Sequence, residues 1–310
     1  MCIRDSNKPG LGIDLSGGTI LVYEVDEEKT AANTAEQEGD GNFMPALIQA
    51  LKNRIDPSGT KEIVIRPYGP TQIEIIIPKT PPAEIEQIKR SISQAGYLKF
   101  RILADRTRHK NIWQLGEQAL ADPQLQTQSF IERDGMRVAE WVEIGRDKAP
   151  EGELGALRIS RNAALTRELE PGTVEALMVV DPDERFRVDG QHLSGVAESF
   201  DPQNGAPCVS FRMNPIGSKL FLTLTSNNLP DKQSGVSSQL GIVMDDVLLS
   251  APTIQSTIST NGQITGNFTS EEVQFLVNVL KGGRLPAVLR PEPNSQNNIS
   301  STLGLSLIHI

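Results

Sequence analysis

Aromatic side chains are scarce: Phe, Trp and Tyr make up 5% of the 310 residues. Few stacking platforms for bases are therefore available. The charge balance is acidic, with 39 Asp and Glu against 30 Lys and Arg and a formal net charge of -9. Such a chain repels nucleic-acid phosphate unless it concentrates basic residues in a stripe. Its basic residues are instead interleaved with acids, as in Lys61-Glu62 and from Glu86 to Arg90, which reads as a solvated mixed surface. Cysteine is limited to Cys2 and Cys208, and histidine to His109, His192 and His309. These spacings give no zinc constellation, and His109 and His192 read as isolated surface side chains. No apolar run reaches the roughly 18 residues that suggest a bilayer-spanning helix. Neither a signal peptide nor a P-loop, nucleophile-elbow or HExxH spacing is found. The expectation is a non-enzyme without cofactor, metal or nucleic-acid partner.

The two ends look foreign to the rest. Met1-Cys2-Ile3-Arg4-Asp5-Ser6 and Leu305-Ser306-Leu307-Ile308-His309-Ile310 can be encoded by one short DNA duplex read in opposite orientations. Residues 1–6 and 305–310 are accordingly read as adaptor-derived and set aside. The natural chain is then expected to be cut at both ends. Cys208 is left without an internal disulfide partner.

Periodicity organises the remainder. Thr19–Val25 is β-branched and apolar, a strand, and Thr30–Gly41 is polar, a loop. A helix from about Asn42 carries Met44, Leu47, Ile48, Leu51 and Ile55 on one face and ends at Pro57-Ser58-Gly59. Strands follow at Glu62–Tyr68 and Thr71–Pro78, a helix at Pro82–Ala95 stopped by Gly96, and a strand at Leu98–Leu103. This β-α-β-β-α-β order is the ferredoxin-like pattern. It also fits RNA-recognition domains, but Tyr23, Tyr68 and Phe100 on an acidic chain argue against that reading.

Between Asp105 and Gly172 the signals weaken to a helix at Ile112–Ala121 and a hairpin in Ile131–Ile144 turning at Asp134-Gly135. A second α+β unit begins near Thr173. It contains a strand at Val174–Val180, a hairpin around Asn204-Gly205 and a helix opened by Asn214-Pro215. Strands follow around Asp245-Asp246, at Pro252–Ile258 and at Gln263–Phe268. Its last helix starts at a capping box formed by Thr269 and Glu272. The helix buries Val273, Leu276, Val277 and Leu280 and stops at Gly282-Gly283. Arg290–Ser301 is polar, with little helix or strand signal.

Four segments carry a family resemblance: GLGIDLSGG at Gly10–Gly18, LKNRIDPSGTKEIVI at Leu51–Ile65, GIVMDDVLLSAPTI at Gly241–Ile254 and QITGNFTSEEVQFLVNVLKGGRLPAVL at Gln263–Leu289. In order and spacing they resemble the SecD family of the bacterial protein-export machinery. The family-motif positions are Gly12, Asp14, Gly17, Gly18, Arg54, Asp56, Gly59, Ser250, Ala251, Pro252, Gly283, Leu285 and Pro286. Asp246 stands where the family usually has Gly, LPAVL replaces LPAPL, and 105–172 matches little.

The resemblance implies an α+β organisation with a ferredoxin-like base at 7–104 and an insertion or linker at 105–172. A mobile α+β head at 173–290 and a juxtamembrane segment at 291–304 would complete it. It further implies an extracytoplasmic position on the bacterial inner membrane, held by helices outside this chain. The implied partners are SecF, the SecYEG translocon and unfolded exported polypeptide, and the implied superfamily is resistance-nodulation-division. A related transporter domain handling a small solute or lipid, or a soluble ferredoxin-like ligand-binding module, are the alternatives.

Read as residues, these positions also admit plain structural roles. Asp14 suits a local cap, and the glycines around it suit backbone turns. Arg54 and Asp56 suit an exposed helix-end pair, with interdomain contacts as the alternative. Asp245-Asp246 suits hairpin geometry rather than catalysis. Ser250-Ala251-Pro252 suits a kinked or edge strand, with addition of an extended client to the sheet edge as its functional version.

Overall fold

The computed structural model describes residues 17–34, 43–56, 58–144, 164–170, 173–231, 236–266 and 268–299. Gly12, Asp14 and the adaptor-like ends lie outside the described residues. From the N-terminal side run β1 (Gly18–Glu24), α1 (Glu27–Thr34), α2 (Met44–Ile55), β2 (Val64–Pro67), β3 (Gln72–Pro78) and α3 (Pro82–Ser93). Then come β4 (Leu98–Leu103), α4 (Lys110–Ala121), β5 (Phe130–Arg133), β6 (Met136–Ile144), β7 (Thr166–Glu170), β8 (Thr173–Val179) and β9 (Val188–Asp189). They are followed by β10 (Leu193–Phe200), β11 (Pro207–Met213), α5 (Pro215–Ser226), β12 (Leu240–Met244), β13 (Val247–Ser250), β14 (Asn261–Ile264), α6 (Ser270–Gly282) and β15 (Ser295–Ile299). The chain forms two compact units. One combines the chain up to Ala95 with the chain from Lys281 onward, and the other is Gly96–Leu280.

In the first unit a four-stranded antiparallel sheet runs in the order β15-β1-β3-β2. Alternation turns Leu21, Tyr23, Ile73, Ile75 and Ile77 to one face. There they bury against Leu47, Leu51 and Ile55 of α2 and Ile88 and Ile92 of α3. Leu285, Ala287 and Leu289 return from the far end of the chain into the same core.

The fourth strand of this sheet differs from the sequence expectation. Leu98–Leu103 pairs with β8, β9 and β12 in the other unit. The place beside β1 is taken by β15, from the stretch read as strand-poor. Its residues Ser295–Ile299 are all exposed, so no alternation marks it. Its backbone ladder with β1 forms it, aided by a 3.0 Å hydrogen bond from Thr19 Oγ1 to Asn298 Oδ1. The expected loop at Thr30–Gly41 is likewise helical as far as Thr34, in α1.

In the second unit β6, β13, β12, β4 and β8 pair in turn, and β8 pairs back onto β6. Five strands thus close on themselves, and closure removes their edges. β5 and β7 flank this ring. Side chains from one face of every ring strand form a single cluster, including Leu103, Val142, Met178, Val243 and Leu248. Gly241 belongs to this packing, because a Cβ there would lie 2.9 Å from Met178 Sδ.

On the outer face, α4 covers Ala139, Trp141 and Leu177. Elsewhere on it Leu98, Phe100, Ile102 and Ile242 pack with α5, α6 and a three-stranded sheet, β10-β11-β14. Phe100, Phe211 and Phe221 meet with ring centroids 5.2–5.9 Å apart.

The stretch 105–172, read as an insertion or linker with a helix and a hairpin, supplies α4, β5, β6 and β7 to this unit. β6 is buried on both faces, so it shows none of the polar alternation that marks a half-exposed strand. Pro252–Ile258 forms an isolated bridge at Thr253 in place of the expected strand. The strand expected at Gln263–Phe268 lies earlier, at Asn261–Ile264, and pairs with β11.

Candidate functional site

The RIDPSG segment sits at the end of α2. The apolar stripe of that helix faces the sheet, and Arg54, next to Ile55, is carried inward with it. Arg54 is only 2% exposed, which corrects the expectation of an exposed helix-end pair with Asp56. Its guanidinium donates to the carbonyls of Ser91 at 3.3 Å, Ala95 at 2.7 Å and Gly283 at 2.5 Å, and also to that of Gln94. A flat five-donor fork suits several carbonyl oxygens at once; an ammonium does not.

Arg54 thus binds both stretches of chain at which the second unit is inserted, the exit at Ala95 and the return at Gly283. The Leu285 amide closes the same junction by donating to Ala95 O at 2.9 Å. Gly282 lies against the Arg54 stem, and a Cβ there would be 2.1 Å from Arg54 Cγ. Gly283 itself takes φ +73, the left-handed region that glycine enters at least cost.

Asp56 turns outward. Its carboxylate accepts the Thr60 and Lys61 amides at 2.9 and 3.1 Å. Its carbonyl accepts the amide of Gly59, which has φ +67. A cleft of about 240 Å³ lined by Lys52, Asp56, Gly59 and Glu62 opens beside this turn. Of the other first-unit positions, Leu285 is buried in the core. Pro286 follows it, and Gly17, at φ +76, leads into β1, which Gly18 opens.

On the other side of the exit, the Asp245 carboxylate accepts the Gly96 and Tyr97 amides at 3.0 and 2.8 Å. The sequence reading saw Asp245 only as a turn residue. Its partners lie far away in sequence, so no local spacing signals them. Both turn residues have positive φ, +51 at Asp245 and +65 at Asp246. Asp246 accepts from Lys99 Nζ at 2.7 Å.

Lys99 belongs to a buried charge cluster that the sequence also hid. Glu140 accepts from Arg101 Nε at 3.1 Å and lies 3.7 Å from Lys99 Nζ, all three side chains being at most 10% exposed. Burial raises the Asp189 carboxyl, opposed by His192 and Arg101.

His109 and His192 are not the surface side chains expected. Each has its ring largely buried, with Nδ1 facing the backbone amide of a nearby aspartate, Asp105 or Asp189.

Ser250 ends the β13 ladder opposite Ile242, and Ala251-Pro252 continue beyond it. The Leu240 amide donates to Pro252 O at 2.8 Å, Gln239 Nε2 to Ala251 O at 3.2 Å, and Ser250 Oγ to Thr265 O at 2.5 Å. One edge of this segment is therefore occupied by the chain itself. The structure brings together Arg54, Gly283 and Leu285. It leaves Asp56 and Gly59 in their own turn and Ser250-Ala251-Pro252 in the second unit.

Residues 167–287 match the family model described as SecDF, P1 head subdomain. Protein translocase subunit SecD of Elusimicrobium minutum is 28% identical over 293 residues, covering 93% of this chain and 53% of the relative. The subunit SecD of Rickettsia conorii is 27% identical over 307 residues, covering 90% and 57%.

The chain is similar to SecD proteins along most of its length.

It spans about half the length of these curated SecD relatives. The crystal structure of SecDF in its super-membrane-facing form superposes with a TM-score of 0.61 at 24% identity, covering 99% of this chain and 34% of that one. A second structure, of a membrane component SecDF that enhances protein export, gives a TM-score of 0.53 at 21% identity, covering 89% and 98%. At these identities the superpositions support the mixed α+β fold of the chain. Among the described residues no helix is long and apolar enough to cross a membrane.

Proposed function

We propose that the chain is the extracytoplasmic part of a SecD-type export subunit, with a ferredoxin-like base and an inserted head that changes orientation during translocation. It does no chemistry of its own. Its proposed partners are SecF, the SecYEG translocon and the unfolded polypeptide crossing the bacterial inner membrane. Proton movement in membrane segments outside this chain drives it.

The observation that carries this reading is the double crossing. The second unit is inserted through Ala95-Gly96 and Leu280-Lys281, and Arg54 binds carbonyls on both stretches. Gly96 and Gly283 lie at or beside these crossings, and hinges are often small residues at the ends of elements. The antiparallel order β15-β1-β3-β2 under two helices supports the ferredoxin-like base, with β15 as its closing strand. The match of 167–287 to a head subdomain supports the name of the other unit.

The test places a photoreactive amino acid at exposed positions of the 195–290 region in the full membrane protein. A secretory precursor arrested during export is expected to crosslink there. Capture of a lipid or solute with no precursor overturns the export reading.

A further inference from the structure

Sheet edges expose unpaired amides and carbonyls, and proteins blunt them with charge, proline or brevity. Most edge strands here are blunted in this way. β2 carries Arg66 and ends at Pro67, β5 carries Glu132 and Arg133, and β7 carries Arg167 and Glu168. β14 has only four residues, and β15 is polar up to Ile299.

β10 is longer, and its eight residues, LSGVAESF, carry a single charge, Glu198, and no Lys, Arg or Pro. It lies at the end of the β10-β11-β14 sheet, and no strand among the described residues pairs with its outer side. Phe200, at its end, is 68% exposed.

The register fixes which groups point outward. Asp201 donates to Ala206 O at 2.8 Å at the head of the hairpin, and Ser199 faces Cys208 and Ala197 faces Ser210 in the same ladder. Antiparallel pairs alternate between bonded and non-bonded. The amides and carbonyls of Val196, Glu198 and Phe200 therefore point away from β11. A bulge between Leu193 and Gly195 ends this outward row on one side, and the turn at Asp201 ends it on the other.

We propose that an extended segment of unfolded polypeptide binds along Val196–Phe200 as an added strand. The identity of this occupant rests on the export reading; the edge itself does not. An outward row of main-chain groups recognises an extended backbone of almost any sequence. Val196 packs partly on the core, and Val196, Glu198 and Phe200 share one face of the strand. A bound segment extends that face, laying alternate apolar residues beside Val196 and Phe200 and a neutral or basic residue beside Glu198. A second copy of this chain is the poorer occupant. Antiparallel self-pairing centred on the row puts Glu198 against Glu198, and like charges placed directly opposite destabilise. The net charge of -9 adds to this repulsion.

The test uses a fluorescent synthetic peptide of alternating valine and threonine with one central lysine, titrated into the full chain and followed by anisotropy. Glu198→Pro removes an outward amide and leaves the bonded pairs of the β11 ladder intact; it is expected to weaken binding by roughly tenfold. Glu198→Lys, which keeps every amide, is expected to weaken binding of this peptide and spare one carrying glutamate in place of lysine. A peptide N-methylated on alternate amides is expected not to bind.

Wild-type binding by Glu198→Pro and by the N-methylated peptide overturns the proposal. So does concentration-dependent dimerisation abolished by Glu198→Pro, which makes the edge a contact between copies. Precursor crosslinking elsewhere in 195–290 together with wild-type binding by Glu198→Pro removes the edge and leaves the export reading standing.

Discussion

Arg54 reaches the carbonyl of Gly283 across 229 residues of sequence, with its nitrogen 2.5 Å from the oxygen. A buried arginine committed to carbonyls is sensitive to both charge and shape. Arg54→Ala leaves those acceptors without the fork and is expected to lower the stability of the first unit by about 3 kcal/mol. Arg54→Lys keeps the charge but cannot span the set, so it is expected to recover less than half of that loss. Urea denaturation read by a probe confined to the first unit checks both.

Gly282→Ala is expected to mimic part of this damage, at about 1–3 kcal/mol, because its methyl group would enter the space of the Arg54 stem. The same denaturation series measures it. A cost below about 0.5 kcal/mol would contradict the packing described.

The two aspartates of the β12–β13 turn are expected to respond in opposite ways. Asp246→Gly relieves a left-handed non-glycine residue, and its carboxylate is 73% exposed in the pair with Lys99, so that contact is largely screened. The change is expected to be neutral or stabilising by up to about 1 kcal/mol. Asp245→Gly also relieves left-handed backbone, yet it frees the Gly96 and Tyr97 amides and is expected to cost about 1–3 kcal/mol. Thermal denaturation of the two variants side by side checks the contrast.

Glu140→Gln leaves Lys99 and Arg101 buried with less opposing charge and is expected to cost about 3 kcal/mol. Replacing Arg101 and Glu140 together by Met and Leu is expected to restore much of this. A double-mutant cycle in urea measures the coupling.

Burial lowers the His109 pKa below 6.5, outweighing the opposing pull of Asp105, while Arg108 lowers it further. In the window between the folded pKa and 6.5 the unfolded chain holds the extra proton, so stability rises with pH there and is lost as pH falls. His109→Gln is expected to flatten that part of the stability–pH curve. Denaturation midpoints measured across the window check the slope.

Local chemistry made much of the fold readable. The Thr269 and Glu272 capping box forms as written, with Glu272 N to Thr269 Oγ1 at 3.2 Å and Thr269 N to Glu272 Oε2 at 2.7 Å. The stripe from Leu47 to Ile55 and the turns at Asp134-Gly135 and Asn204-Gly205 were equally plain. Partners far apart in sequence were not readable. Leu98–Leu103 reads as a strand wherever it pairs, so its sheet could not be assigned. β15 is held by main-chain bonds that its polar side chains do not advertise. The family motifs pointed to Arg54 and Gly283, but carbonyl acceptors have no letter in the sequence, so their meeting and the burial of Arg54 were invisible.

Thr19 and Asn298 are hydrogen-bonded across 279 residues, so the first sheet is left one strand short until residues 295–299 have been made. Joining such remote segments from an open coil is entropically slow. An inserted unit that folds first would act as a ready-made clasp, collapsing the long excursion between Ala95 and Leu285 to the width of one hydrogen bond. Assembly would then run outward from the inserted unit, with β1 waiting on β15.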